Sequence, residues 1–200
     1  MSLLKASRVL KPMQYPQAYQ YWETHEKMHW LHDEVPLADD VLDYNKGNAE
    51  EKEFIAGIMR LFTQNDIEVG HGYDVLLRIF KPTEVSMMLR GSAARENIHI
   101  AAYSLFTETL GFDDSFYSEY LEDEQMKDKI EYVEGSQVKK YEEYDEFDEK
   151  LFKQDIMYML AVYATVTEGV SLFAQFAMLL KYQKDNKYKG LGTIVEWSIR

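Results

Sequence analysis

The amino-acid sequence predicts an all-α protein built as a bundle of helices. Long segments with apolar residues spaced three and four apart alternate with short breaks at proline, glycine and asparagine, and no segment alternates as a half-buried strand does. The chain has 200 residues, of which 46% are apolar. This is ample for a single domain over residues 1–200 with a sizeable core.

The first part of the chain predicts an arm followed by two helical segments. Residues 1–15 are interrupted by Pro12 and are typical of an extended arm. A first helix is expected over residues 16–31, because a proline is tolerated in the opening turn of a helix. Residues 33–40 break this helix and lead into a short acidic helix start.

Two long helices are predicted in the middle of the chain. Asn48 is a plausible N-cap for a helix that runs to about Phe80. Pro82 ends that helix or begins the next one, which continues to Leu110 and stops at Gly111.

The second half of the chain predicts further helices joined by polar connections. A shorter amphipathic helix is expected over residues 116–134, followed by a loop or irregular helix over 135–148. A long helix is expected over residues 152–184, and a turn at 185–190 precedes a final helix over 191–200.

Composition excludes several classes of function. The net charge of −13 disfavours nucleic acid as a partner, because phosphate binding needs a basic surface. Cysteine is absent, which leaves carboxylate, imidazole and phenol groups as the reactive side chains; such ligands suit iron, manganese or zinc. No run of about 20 uninterrupted apolar residues and no signal-peptide pattern is present, so we expect a cytoplasmic protein without a membrane span.

The strongest chemical signal is the Glu-x-x-His pair formed by Glu96 and His99. In a helix the two side chains lie about 60° apart, and Tyr103 points between them one turn further on. A Glu-x-x-His pair is the recurring ligand unit of di-metal sites inside helical bundles, although isolated pairs also occur by chance on solvated surfaces. Small residues favour the buried alternative, in which a metal ion would be the shared partner: Gly91, Ser92, Ala93, Ala94, Ala101 and Ala102.

Two further carboxylates are candidates for the same site. Asp66 follows Phe62 by four residues and therefore lies on the apolar face of its helix, and Glu168 is isolated within a long apolar segment. Each could instead be an acid hydrogen-bonded locally or exposed to solvent. Leu172 and Phe176 follow Glu168 at one and two turns, so they would form an apolar wall beside the site, or else belong to the core.

A competing Glu-x-x-His pair occurs at Glu26 and His29. We do not expect this pair to bind metal, because the surrounding residues 23–27 are highly polar and are typical of a solvated face. The remaining histidines show no convincing ligand spacing: His25, His32 and His71.

Four sequence segments resemble the small, radical-generating subunit of class I ribonucleotide reductase. They are Trp30-Leu-His-Asp-Glu-Val-Pro-Leu-Ala-Asp-Asp40, Phe62-Thr-Gln-Asn-Asp66, Arg95-Glu-Asn-Ile-His-x3-Tyr103 and Thr167-Glu-Gly-Val-x-x-Phe-x-x-Phe176. The third segment is a specific sign of this family by itself, and the occurrence of all four segments in this order makes the resemblance strong. The resemblance covers nearly the whole chain and implies a ferritin-like bundle, usually a homodimer.

The resemblance also implies roles for individual residues. Asp66, Glu96, His99 and Glu168 would bind two iron ions, or manganese or a mixed pair, with Glu96 bridging the ions. Tyr103 would hold a stable radical in the apolar pocket that Leu172 and Phe176 border. Trp30 would carry electrons between this radical and the large subunit, which reduces ribonucleotides to deoxyribonucleotides.

One departure from the family pattern concerns the end of the sequence. The family has a second Glu-x-x-His pair, which would begin just after Arg200, and Glu196 cannot replace it because no histidine follows. Four of the usual six protein ligands are therefore present, and the aspartate of the electron route, the last helices and the C-terminal tail are not. We expect a bundle that is incomplete at its C-terminal end and is completed by a second polypeptide; an early end of the sequence is the alternative.

Two other functions remain open at this point. Another ferritin-like di-metal oxidase would share the ligands but would have no need of Trp30 in its acidic context. An iron-storage or structural helical protein would form no radical, and Tyr103 would then only pack in the core. Neither the choice between iron and manganese nor the oxidant follows from the ligand types.

Overall fold

A computed structural model describes residues 3–138 and 148–199, and within these ranges the chain forms helices and no strand. The helices are α1 (Pro16–Glu26), α2 (Ala38–Lys46), α3 (Ala49–Ile79), α4 (Thr83–Leu110), α5 (Glu124–Gly135), α6 (Glu149–Ala161), α7 (Phe173–Lys184) and α8 (Lys189–Ile199). A 3-10 helix covers Asp114–Glu122, and a π-helical stretch over Val162–Leu172, here the π segment, joins α6 to α7. The predicted all-α class is confirmed.

The two longest helices form the centre of the fold. Helices α3 and α4 make the most extensive contact between any two elements of the described chain, and α1 also packs on α4. The side chain of Asn48 accepts a hydrogen bond from the Glu51 N–H, as expected of an N-cap, and Gly111 ends α4 with the left-handed backbone that glycine tolerates best. A glycine allows α1 and α4 to approach closely, because a Cβ on Gly91 would lie 3.0 Å from Trp22 Cδ1 of α1.

The last helix is fixed by a carboxylate from a distant part of the chain. Asp40 of α2 is buried and accepts hydrogen bonds from the N–H groups of Gly190 (2.9 Å) and Leu191 (2.8 Å), which are free donors at the start of α8. This cap holds α8 against the main core, where Ile194 and Val195 are fully buried.

Two sequence predictions differ from the structure in detail, and a third falls mostly on residues that the structure does not describe. The first helix ends at Glu26 and does not reach residue 31, so Trp30 lies in the connection that follows. Residues 116–134 form two elements, the 3-10 helix and α5, because Asp123 caps a new helix with its carboxylate. Most of the predicted connection at 135–148 lies outside the described residues.

The predicted long helix over residues 152–184 is a composite. It begins at Glu149, passes through the π segment and continues as α7 to Lys184. One side of this run exposes apolar side chains, among them Met157, Val166, Val170 and Phe173. Glu149–Lys184 is the candidate membrane span among the described helices by length and composition, with only 22% of its most apolar window buried in the chain. Length and composition alone are weak evidence for a span, since helices from protein cores pass the same test.

Gly72 allows the π segment to pack closely on α3. A Cβ at this position would lie 2.4 Å from Cε1 of the Tyr163 ring. The Tyr163 hydroxyl donates a hydrogen bond to the carbonyl of Glu68 (3.3 Å), so the ring is held against the helix and cannot easily move aside.

We therefore expect Gly72→Ala to destabilise the protein by about 1–3 kcal/mol, the usual cost of overpacking. Gly57→Ala is the matched control, because Gly57 lies in the same helix with open space around a Cβ. Alanine at that position should raise stability by up to about 1 kcal/mol through helix propensity. Thermal or denaturant unfolding of the two variants gives the comparison, and equal changes in both would contradict the tight contact with Tyr163.

Candidate metal centre

The first three residues of the candidate site lie on one face of α4. His99 Nδ1 lies 3.2 Å from Glu96 Oε2, and both side chains are mostly shielded from solvent. Tyr103 is one turn further along, with 1% of its surface exposed. The helical spacing therefore places a carboxylate, an imidazole and a phenol in one buried region.

Helix α3 brings a second carboxylate to the same place. Ligand atoms of Asp66, Glu96 and His99 all lie within 4.8 Å of one another. Asp66 is 3% exposed, and the Phe62 ring one turn before it packs 4.9 Å from the Tyr103 ring, centroid to centroid. The close packing of α3 on α4 thus sets both the three-ligand group and its position beside Tyr103.

Two polar atoms of this group lack partners within the described chain. Asp66 Oδ2 and His99 Nε2 are both inaccessible to solvent and form no hydrogen bond to a described residue. Buried polar atoms without partners are costly, and a cation bound between them would satisfy a carboxylate oxygen and an imidazole nitrogen together. The donor set therefore fits a metal ion.

The electrostatics favour a cation as well. Burial, with repulsion from Glu96 and Glu168, raises the pKa of Asp66 well above its ordinary value. Burial and the neighbouring Glu96 raise the pKa of Glu168 to about 7. A positive ion near Asp66 and Glu168 would stabilise the charged form of both carboxylates.

Glu168 occupies a distinct position at the edge of this group. It lies in the π segment and is half-buried by surface area, and its carboxylate is close enough to interact electrostatically with Asp66, Glu96 and Tyr103. It does not join the three ligands that lie mutually within 4.8 Å. A π stretch often marks a functional position, because it turns side chains away from the directions that a continuous α-helix would give them.

Trp30 packs directly on a candidate ligand. Its ring stacks on His99 with 6.0 Å between centroids, and the Trp197 ring of α8 meets its edge at 5.5 Å. The indole is 5% exposed, and its N–H has no hydrogen-bond acceptor among the described residues.

Phe176, which we expected in an apolar wall beside Tyr103, contacts the Phe62 ring, and Phe62 in turn contacts Tyr103. Phe176 is 3% exposed and meets the Phe62 ring edge-on at 5.5 Å, while Phe62 itself contacts Tyr103. Leu172 is partly buried and packs against the same core cluster. Burial, with the charge of Asp66, raises the pKa of Tyr103 well above its usual value, and the Tyr103 hydroxyl has no hydrogen-bond partner among the described residues.

Two other Glu-x-x-His pairs lie apart from this centre. Glu26 and His29 are both exposed, and His29 Nδ1 lies 3.4 Å from a guanidinium nitrogen of Arg95. The sequence reasoning missed the pair formed by Glu68 and His71, although its spacing is visible in the sequence; in the structure Glu68 is buried and lies next to His71.

Comparison with known proteins identifies the family. The profile of the family described as ribonucleotide reductase, small chain, matches residues 7–200. The chain belongs to this family. The "Probable ribonucleoside-diphosphate reductase small subunit 376L" of Invertebrate iridescent virus 6 is 42% identical over 208 residues, which cover 100% of this chain and 56% of that protein. This small chain thus spans about half the length of the curated relatives it matches.

Solved structures support the ferritin-like fold of the small chain. The ribonucleotide reductase R2 subunit from Clostridium botulinum aligns with a TM-score of 0.81 at 20% identity, over 96% of this chain and 59% of that one. The dimanganese(II)-NrdF of Streptococcus sanguinis aligns with a TM-score of 0.76 at 16% identity, over 98% of this chain and 65% of that one.

The raised pKa of Glu168 predicts a pH dependence of the metal-free protein. Since the folded-state pKa of about 7 lies above the ordinary value of 4.5, the stability that depends on Glu168 is full below pH 4.5 and is lost as pH rises through 7. An amide does not ionise, so Glu168→Gln avoids this loss and should melt a few degrees above the parent at pH 7.5, at about 2–4 °C per kcal/mol for a chain of this size.

Thermal melts from pH 5 to 8 in the presence of a chelator test the expectation. Glu196→Gln serves as the control because Glu196 is exposed. Identical pH slopes for Glu168→Gln, Glu196→Gln and the parent would show that Glu168 ionises as freely as a surface acid.

Proposed function

We propose that this chain carries the metal- and radical-bearing part of the small subunit of ribonucleoside-diphosphate reductase. The observation that carries the proposal is the convergence of Asp66, Glu96 and His99 beside the buried phenol of Tyr103, in a chain of this family. The subunit would supply an oxidising equivalent to the large subunit, where ribonucleotides are reduced.

Four side chains would hold the dinuclear metal centre. Asp66, Glu96 and His99 form the inner group, and Glu168 would complete it from the π segment. Carboxylate oxygens and an imidazole nitrogen accept iron and manganese alike. We favour two iron ions, with manganese or a mixed pair as alternatives; one relative of similar fold is a dimanganese protein. The bound ions would supply the redox chemistry with an oxygen species that oxidises a phenol.

Tyr103 would store the oxidising equivalent as a radical. Burial and the nearby carboxylates keep its phenol protonated in the resting state, because they raise its pKa. Loss of an electron must therefore be accompanied by loss of the phenolic proton. Among the neighbouring carboxylates, the charge of Asp66 contributes most to the raised pKa of Tyr103. Phe62, Phe176 and Leu172 would exclude water and small reductants from the phenol.

Trp30 would begin the route by which the oxidising equivalent leaves the site. Its ring lies against His99, within the stacking distance at which aromatic groups interact directly. Its buried indole N–H lacks an acceptor in the described chain. The aspartate that the family resemblance places on this route would be such an acceptor, and it is not among the 200 residues.

The remaining parts of the subunit would complete the bundle. The exposed apolar side of α6, the π segment and α7 suits protein contact, since apolar surface of this extent is normally covered. We propose that the additional Glu-x-x-His helix and the C-terminal tail are provided by a second chain, and that the completed subunits pair as a dimer. The cytoplasm is the expected location. The second chain, the dimer and the location stay predictions.

We expect Tyr103→Phe to abolish the radical and leave metal binding intact. The test is electron paramagnetic resonance after aerobic reconstitution with ferrous iron or manganese, using this chain assembled with the rest of the small subunit. Tyr188→Phe is the control. Tyr188 is as buried as Tyr103, but its hydroxyl donates a hydrogen bond to Glu51, which is not part of the candidate metal centre. Iron uptake by the parent without any radical would favour storage, and a radical that persists in Tyr103→Phe would refute its assignment.

Trp30→Phe should separate radical formation from its use. The Tyr103 radical should still form, because Trp30 contacts His99 and contributes no ligand atom. Ribonucleotide reduction with the large subunit should fall to the level of Tyr103→Phe, since phenylalanine is much harder to oxidise than tryptophan. Full turnover in Trp30→Phe would remove Trp30 from the proposed route.

A further inference from the structure

A second tryptophan, Trp197 of α8, extends the aromatic contact between His99 and Trp30. The Trp30 ring stacks on His99 with 6.0 Å between centroids and an interplanar angle of 30°. The Trp197 ring meets Trp30 edge-on, with 5.5 Å between centroids and an angle of 63°. Both separations are those of aromatic rings in direct contact. Among the described residues these are the ring contacts of Trp30, so the imidazole and the two indoles form one continuous series.

The two indoles of this series differ in their access to solvent. Trp30 is 5% exposed, so a reagent in solution does not reach it directly. Trp197 is partly exposed and packs against the main core cluster. An electron from outside the chain therefore reaches Trp30 through a neighbouring group, and Trp197 is a neighbour that solvent also contacts.

The environment of the Trp30 indole favours electron transfer from Trp197. Removal of an electron makes an indole N–H strongly acidic, but the Trp30 N–H has no acceptor among the described residues. An oxidised Trp30 in this chain therefore keeps its proton and stays a radical cation, which is a stronger oxidant than the neutral indole radical. The Trp197 indole is easier to oxidise than the His99 imidazole, so of the two rings in contact it is the electron donor.

Both indoles are held in place by contacts outside the series. Asp40 caps the first turn of α8, the helix that carries Trp197. On the other side, a guanidinium nitrogen of Arg95 lies 3.4 Å from Nδ1 of His29, the residue before Trp30. Electron transfer between side chains falls steeply with distance, so a fixed contact between the rings is what a relay requires.

From this geometry we propose that Trp197 is the residue through which electrons pass between the surface of the chain and Trp30. One electron moves from the Trp197 indole to oxidised Trp30, which returns to its resting form, while Trp197 becomes the radical cation; no bond forms or breaks. A one-electron reductant at the surface then restores Trp197. The source of the oxidising equivalent rests on the proposed function at Tyr103, whereas electron exchange between the two indoles does not.

The first test uses the full chain without metal, so it is independent of the proposed radical. Azide radicals generated by pulse radiolysis oxidise accessible tryptophans, and mass spectrometry locates the oxidised side chains. Because the exchange runs in both directions, we expect Trp30 to be oxidised in the parent despite its burial, and we expect this oxidation to be lost in Trp197→Phe. A purely structural role predicts the opposite, since the smaller phenylalanine ring would expose Trp30 and increase its oxidation.

Trp22→Phe is the matched control for this experiment. Trp22 is also partly exposed, but its ring contact is with Tyr19 of the same helix, at 5.5 Å. Oxidation of Trp30 should therefore persist in Trp22→Phe. Absence of Trp30 oxidation in the parent, or equal oxidation in the parent and in Trp197→Phe, would refute the relay.

The second test connects the relay to the proposed function. Tyr103→Phe, assembled with the rest of the small subunit and reconstituted aerobically with ferrous iron, cannot store the oxidising equivalent at residue 103. We expect oxidation to appear at Trp197 and to be lost when Trp30→Phe is added, with oxidation of Trp22 unchanged as the internal control.

The outcomes separate the two proposals. A Tyr103 radical in the parent, together with oxidation of Trp197 that does not depend on Trp30, would overturn the relay and leave the proposed function standing. Absence of the radical in the parent would overturn the proposed function, and the experiment with azide radicals would still decide whether the two indoles exchange electrons.

Discussion

The packing of α3 against α4 is the constraint on which the candidate centre depends. It brings Asp66 to Glu96 and His99, and the same contact sets Phe62 against Tyr103. The result is an unusual concentration of buried, like-charged groups, since the pKa of Asp66 and that of Glu168 are both raised. Such a site is unfavourable by itself and becomes favourable with cations, so local strain in the metal-free chain and affinity for metal have one physical cause.

Different elements surround the candidate centre at Tyr103 and at His99. Apolar rings on the α7 side shield Tyr103, whereas Trp30 contacts the candidate ligand His99 from the connection between α1 and α2. Helix α8 closes the core between them, and Asp40 fixes its position by capping its first turn. The proposed radical at Tyr103 would need both isolation from solvent and one defined route for electrons, and the arrangement offers apolar shielding on one side and an aromatic contact on the other.

Most of the fold, and the shared face of the candidate ligands on α4, could be predicted from the sequence because both depend on local patterns. Helical periodicity and Asn48 predicted α3, and the spacing of Glu96, His99 and Tyr103 placed them on one face. The end of α1 at Glu26 was missed because residues 27–31 carry no glycine or proline to stop a helix. The π segment was missed because its composition is that of any apolar helix, and its geometry depends on packing, as the contact between Gly72 and Tyr163 shows.

The pair formed by Glu68 and His71 shows what sequence spacing cannot supply. It has the same spacing as the pair formed by Glu96 and His99, and in both pairs the imidazole lies next to the carboxylate. Among the described residues, however, a third ligand atom joins only Glu96 and His99, because the packing of α3 on α4 brings Asp66 to them. A Glu-x-x-His pair therefore becomes a candidate metal centre only through a residue of another helix, and that residue is set by tertiary packing, which spacing along the chain does not encode.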